Sequence, residues 1–296
     1  MSDLTLMPAR KKRAATIGSV QVAVKTVTGK ALRARKKRQQ RRQTASGCVL
    51  YRGPSPWALD GLPEADRAIV ILLTFSSTNR KTGDTCQLWL FADKLKPTEA
   101  KAAGLNQLVC GDCALMQVCY VKLHQAPRMI WNSYKNGNYP DYQPDQHDWI
   151  IAEKGVRFGA YGDPVLVPIE LVQHFVRVSN HNYTGFTEQW AKPEYQMYRP
   201  YFMASVHRDE DIPRATALGW RHYRVGTDGP KAGEVLCPHQ NEKLTQVIQC
   251  STCQACNGAS RPVGQQQRHS IFAYPTGTKY INTRWKKNLA RTQLEN

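Results

Sequence analysis

Val156-Arg-Phe-Gly-Ala-Tyr-Gly-Asp-Pro164 decides the fold. An aromatic and β-branched run enters a Gly-Asp-Pro turn, and Pro168 to Ser179 follows with helical amphipathic spacing. Strand, turn and helix in close succession form the unit of a parallel sheet. The pattern recurs downstream. Tyr183 to Thr187 reads as a strand ending in Glu188-Gln-Trp190, and 193–198 as a short helix. Tyr201 to Val206 is a strand ending in His207-Arg-Asp209. Asp209 to Leu218 is a helix with Asp209 as cap and Gly219 as stop, and Arg221 to Val225 is the next strand. Four strands with helical connections predict an α/β protein, either a parallel sheet with helical crossovers or a partial (β/α) barrel.

Toward the N-terminus, Ala68-Ile-Val-Ile-Leu-Leu-Thr-Phe75 is apolar enough for a buried strand. Ser76 to Asp84 is a turn-rich connector, and Cys86 to Phe91 is the partner strand of a hairpin. Pro97 and Gly104 bracket a short helix, 121–136 suits another, and Tyr139 to Asp148 reads as a loop. Pro54, Pro56, Gly61 and Pro63 mark an irregular entry loop. The expected organisation is a basic flexible arm at 1–46, N-terminal strands and a short helix at 47–109, an α/β core opening with a cysteine loop at 110–230, and a Cys-rich C-terminal module and tail at 231–296.

Seven of the nine cysteines fall in two groups. Cys110, Cys113 and Cys119 form C-x2-C-x5-C, and Cys237, Cys250, Cys253 and Cys256 form C-x12-C-x2-C-x2-C. Short spacings let successive sulfurs converge on one centre. The first set suits three corners of a [4Fe–4S] cube with one iron open, or zinc with His124 as fourth ligand. The second needs no further ligand and suits structural zinc or a fully ligated iron–sulfur cluster; spacing does not choose between them. Cys48 and Cys86 stand apart, and Cys86 reads as a small core residue. Clustered thiols point to a reducing, cytoplasmic setting rather than an oxidised scaffold. No apolar run approaches the roughly 20 residues of a membrane helix, and no secretory leader is evident.

The net charge of +18 is uneven. Residues 1–43 hold 13 Lys or Arg against Asp3 alone; the remainder holds 28 against 22 acids. Arg10, Lys11, Lys12 and Arg13 precede the denser run of Arg33, Arg35, Lys36, Lys37, Arg38, Arg41 and Arg42. Such runs attract polyanions by counterion release, so nucleic acid is the expected partner of the arm and a membrane is not. In parallel α/β folds the site lies at the carboxyl ends of the strands. That rule selects Asp163, Gln189, Trp190, Ser205, His207 and Arg224. Each has a plainer role open to it, such as a turn residue for Asp163, a cap for His207 and an ion pair for Arg224.

Several stretches carry a resemblance. They are Ser77-Thr-Asn-Arg-Lys-Thr-Gly-Asp84, Cys110-Gly-Asp-Cys113 with Cys119-Tyr120, Ala160-Tyr-Gly-Asp-Pro164 and Thr184-Gly-Phe-Thr-Glu-Gln-Trp190. Met203-Ala-Ser-Val206, Gly219-Trp-Arg-His-Tyr-Arg-Val225, Cys237-Pro238 and the Cys250, Cys253, Cys256 run continue it. In this order they resemble a group of uncharacterised phage-encoded proteins that is similar to radical-SAM iron–sulfur enzymes. The resemblance implies a partial (β/α) barrel. It implies a [4Fe–4S] cluster on Cys110, Cys113 and Cys119, with Tyr120 beside it, that binds and reductively cleaves S-adenosylmethionine. It also implies an auxiliary cluster on the C-terminal cysteines and, for a phage product, the host cytoplasm. The spacing departs from that superfamily's C-x3-C-x2-C, and its aromatic precedes the last cysteine where Tyr120 follows Cys119.

Three functions stay open. One is a radical-SAM-like protein acting on or near nucleic acid, as in nucleotide or nucleic-acid modification. The second is a non-catalytic nucleic-acid binder with two structural zinc sites. The third is a virion or assembly protein that holds DNA through its arm.

Overall fold

The structure, a computed structural model, describes residues 45–57, 59, 61–242, 244–258 and 269–275. The nucleic-acid residues Arg10 to Arg42 of the basic arm lie outside the described residues. The described residues fall in one compact unit.

Strands β1 (Gly47–Pro54), β2 (Ala68–Thr74), β3 (Cys86–Ala92), β4 (Val156–Tyr161) and β5 (Tyr183–Thr184) form one sheet in that order. The β1–β2 and β2–β3 pairs are antiparallel, as the hairpin expectation requires for the latter; β3–β4 and β4–β5 are parallel. A second sheet, all parallel, has the order β6 (Phe186–Thr187), β7 (Met203–Val206), β8 (His222–Val225), β10 (Ser270–Ala273), β9 (Glu234–Leu236). Only Gly185 separates β5 from β6. Its N–H leaves the sheet to donate to Cys256 O at 3.2 Å while its carbonyl accepts from Met203 N at 3.0 Å. The expected 183–187 strand is thus broken at one residue, where the C-terminal module is fastened. The chain is α/β with a mixed sheet and a parallel one.

The helices are α1 (Pro97–Ala102), α2 (Gln107–Cys110), α3 (Ala126–Lys135), α4 (Pro144–Lys154), α5 (Ile169–Val178), α6 (Asp211–Ala217) and α7 (Cys250–Cys253). Pro97 and Pro144 stand at the first turns of α1 and α4, where a missing N–H costs nothing. Helix α4 replaces part of the loop expected at 139–148. Its His147 Nδ1 accepts from Gln143 N at 2.9 Å, closing the first turn, and burial lowers the His147 pKa so that the neutral acceptor persists. Strand β1, which the sequence did not announce, ends at Pro54 where the irregular entry begins; the segment after α3 covers its edge through Val49 N to Pro140 O at 2.8 Å.

The core runs on both sides of β2 and β3, every residue of which is buried except Ala68. Phe158, Phe175 and Phe202 are fully buried between β4, α5 and β7, with ring centroids 5.3 to 6.4 Å apart. A smaller apolar cluster joins Met203, Ile271 and Ala273 to Cys237 and Cys256, with Phe186 and Tyr223 against it. This cluster fixes the face on which the C-terminal cysteines lie. Among the described residues no helix is long and apolar enough to cross a membrane.

Candidate metal centre

Cys110 ends the four-residue helix α2, whose last carbonyls need partners from elsewhere. Each has one. Gln107 O accepts from Gly111 N at 2.9 Å, Leu108 O from Ser55 Oγ at 2.7 Å, Val109 O from Asp163 N at 2.6 Å and Cys110 O from Gln189 Nε2 at 3.3 Å. Three distant segments therefore orient this short turn. Gly111 follows with φ of 54°, and a Cβ there would stand 2.7 Å from Gln189 Nε2, so glycine is required on both counts.

The three thiols of this loop sense one another. Burial raises the pKa of Cys110 most, with Cys119, Asp163 and Glu188 adding to it, while Tyr161 hydrogen-bonds its sulfur. Burial also dominates at Cys113, where Glu188, Cys110 and Cys119 add, and at Cys119, where Glu188 adds. Two backbone groups act the other way. Leu115 N–H serves the Cys113 sulfur and Val121 N–H the Cys119 sulfur, each two residues on, and such donors favour a thiolate. Without a cation these sulfurs stay protonated; a bound metal inverts that preference. The donor chemistry suits a thiophilic metal or an iron–sulfur cluster. As placed, no three His, Cys, Asp or Glu side chains among the described residues close around a single ion. His124 is exposed and is not among the groups that perturb the three thiols. Tyr120, next to Cys119, is exposed and its hydroxyl accepts from Arg157 Nη2 at 3.1 Å.

The strand-end residues divide by role. Asp163, buried after β4, accepts from Val165 N at 3.1 Å, Thr187 Oγ1 at 3.1 Å and Glu188 N at 2.8 Å. It ties the end of β4 to that of β6. Burial outweighs these three donors and pushes its pKa up to about 7. Gln189 is buried; its amide donates to the cysteine loop while its Oε1 has no partner. His207 Nε2 meets Glu188 Oε2 at 2.8 Å, and its buried Nδ1 is likewise unpartnered. Burial opposes the imidazolium, but the Glu188 charge and hydrogen bond prevail and raise the His207 pKa. Trp190 Nε1 donates to Ser205 O at 2.9 Å, which holds the ends of β6 and β7 together. Ser205 pairs in register with Tyr223 and so shares the face that carries the C-terminal cysteines.

Arg224 lies elsewhere. One residue beyond Tyr223 on β8, it takes the opposite face, stacks on Phe272 at 4.6 Å and binds Glu234 through Nε at 2.8 Å and Nη2 at 2.7 Å. Glu234 also accepts from His222 at 2.9 Å. Sequence reasoning missed Glu188, Tyr161 and Lys101, three polar groups that act on the thiols. Glu188 and Tyr161 sit at strand ends beside selected residues, and period-two alternation was the available signal.

The C-terminal set gathers behind β9. Cys237 N donates to Phe272 O at 2.7 Å, Cys250 and Cys253 bound α7, and Cys256 is buried. Burial raises the pKa of Cys256 most, and Cys250, Cys237 and Cys253 all add to it, so the four thiols form one neighbourhood. By contrast Cys48 and Cys86 are buried within the main core, and burial pushes Cys86 up to about 12. Both behave as inert core thiols.

Fold and site together define an α/β protein with two separate groups of clustered thiols. Comparison with family models, curated proteins and solved structures finds no match to this chain.

Proposed function

We propose that this chain is a radical-SAM-like iron–sulfur protein that acts on or near nucleic acid, with nucleotide or nucleic-acid modification as its reaction class. The observation that carries the reading is the Cys110 turn. Its carbonyls are met from Ser55, Asp163 and Gln189, and it brings three mutually coupled thiols beside Glu188, Tyr161 and the strand ends. In this reading Cys110, Cys113 and Cys119 hold a cluster with one iron open, and Cys237, Cys250, Cys253 and Cys256 hold an auxiliary cluster or zinc. Such a cluster supplies reductive cleavage of S-adenosylmethionine. The unpartnered Gln189 Oε1 and His207 Nδ1 give the chain one acceptor and one further ring nitrogen for a bound molecule. In this reading the parallel strands on either side of Gly185 belong to a partial (β/α) barrel. Nucleic acid enters through the charge of residues 1–43, and a cytoplasmic, phage-related setting fits reduced thiols.

Anaerobic purification with an absorption spectrum and iron, sulfide and zinc counts tests this on wild type and Cys113→Ala. A brown protein whose iron falls in the variant is the expected result. A colourless protein with zinc and no iron would overturn it in favour of a zinc-stabilised nucleic-acid binder, catalytic or assembly roles aside.

A further inference from the structure

The connector between β2 and β3 is built as a cradle for the C-terminal cysteines. Its own side chains stiffen it: Asn79 Oδ1 accepts from Lys81 N at 2.9 Å, Ser77 Oγ from Asn79 N at 3.1 Å and Asp84 Oδ1 from Ser77 N at 3.1 Å. Three successive carbonyls then face the start of α7. Arg80 O accepts from Gln249 Nε2 at 3.0 Å, Lys81 O from Cys250 N at 2.9 Å and Thr82 O from Ser251 N at 3.0 Å. Gly83, at φ of 74°, packs so closely that a Cβ would strike Ser251 Oγ.

Lys81 turns its ammonium inward from this cradle. Nζ donates to Tyr223 Oη at 3.3 Å, lies 5.9 Å from that ring's centroid and neighbours Cys237 and Cys250. No carboxylate among the described residues pairs with it. A neutral phenol is a poor partner for an ammonium withdrawn from water, and a withdrawn charge is retained where an anion answers it. Arg157 of β4, its guanidinium on Tyr120 Oη, is a second cation whose charge acts on Cys250, and no carboxylate among the described residues pairs with it. A divalent ion held by four thiolates carries two net negative charges, and a four-thiolate iron–sulfur cluster is likewise anionic. Lys81 brings its charge to this group through Tyr223, which packs against the cluster of Cys237 and Cys256.

From this geometry we infer that Lys81 is a positioning residue for the four-cysteine centre, its ammonium being the fixed countercharge of the metal–thiolate group, with Arg157 second to it. The inference rests on metal binding at Cys237, Cys250, Cys253 and Cys256 and is independent of the radical chemistry.

The test uses the full chain. Metal is counted in wild type and Cys256→Ala, which assigns the equivalents held by this site, and then challenged with a graded chelator in wild type, Lys81→Met and Lys81→Arg. Loss of a group that supports a metal's ligands weakens metal affinity about 10- to 100-fold, so Lys81→Met is expected to release the Cys256-dependent metal at correspondingly lower chelator, with Lys81→Arg close to wild type. If Lys81→Met does not fold, Lys81→Gln against Lys81→Arg carries the same comparison. Equal retention in the neutral variant and wild type, or failure of Lys81→Arg to restore it, would sink the inference alone. A wild type without Cys256-dependent metal would instead remove the four-cysteine centre and the inference with it.

Discussion

The two thiol groups differ in what surrounds them. The three thiols of the Cys110 loop face the Glu188 carboxylate, itself paired with His207, and rest on carbonyls tied to strand ends. Of the four C-terminal thiols, Cys237 and Cys256 sit in a small apolar cluster, and the positive charges of Lys81 and Arg157 act on Cys250. The first neighbourhood places Glu188 near all three thiols, with Lys101 acting on Cys119, and presents unpartnered buried atoms; the second brings Lys81 and Arg157 to Cys250. The same side chain is thus set up for two tasks. A guest at the first group must bring positive charge and can use the free Gln189 and His207 atoms. A guest at the second is neutralised from outside and finds nothing further to bind. The contrast separates a site built to receive something from a site built to hold something.

Single cysteine changes give the largest test of that contrast. Cys113→Ala and Cys256→Ala are each expected to abolish the metal of one group and leave that of the other, read by elemental analysis. Joint loss would merge the two centres into one. Arg224→Met comes next. Its side chain is 3% exposed and Glu234 is fully buried, so removal takes the permanent charge partner from a buried carboxylate that keeps His222 and Lys231 N, at a cost of about 3–5 kcal/mol in urea unfolding. Because Arg224 faces away from both groups, the folded fraction is expected to keep its metal.

Asp163→Ala leaves Val165 N, Glu188 N and the Thr187 hydroxyl without their acceptor and is expected to cost roughly 2–4 kcal/mol. Here, unlike at Arg224, metal retention at the Cys110 group is expected to fall as well, since the lost carboxylate anchors Thr187 and Glu188 beside Gln189, whose amide holds Cys110 O. The smallest effect is a pH dependence. His207 has a raised pKa, so its pairing with Glu188 contributes stability that is complete below the unfolded value of about 6.5 and is lost as pH rises through the folded value. Unfolding between pH 5 and 8 is expected to show that slope in wild type and to lose it in Glu188→Gln. An unchanged slope would assign it to another group.

How much of this was legible depended on where each element sits. The run from β4 to β8 was readable because buried parallel strands are apolar and their helices begin and end on Pro, Gly and Asp. Strand β1 was not, since its Gly47, Gly53 and Pro54 look like loop residues and are tolerated only because it is an edge strand with a register shift after Val49. Helix α4 was hidden by the same prolines and acids that open it. The short strands β9 and β10 are held by neighbours rather than by their own pattern. At the site, cysteine spacing exposed both thiol groups. The strand-end rule found Asp163, Gln189 and His207, yet it does not distinguish the two faces of a strand. Tyr223 and Arg224 differ by one position and serve opposite sides of the sheet. Lys81 was invisible because its partners come from residues 223 to 250.

The carbonyls of α2 set an order of events during synthesis. Leu108 O waits on a residue 53 positions earlier in the chain, whereas Cys110 O waits on one 79 positions later. As the polypeptide emerges, Cys110, Cys113 and Cys119 are translated well before Asp163 and Gln189 exist to aim them. Until that later stretch has docked, the three sulfurs belong to a floppy loop that any passing soft ion can capture. The geometry that would hold a metal at the first group is therefore complete only once the chain through Gln189 has folded.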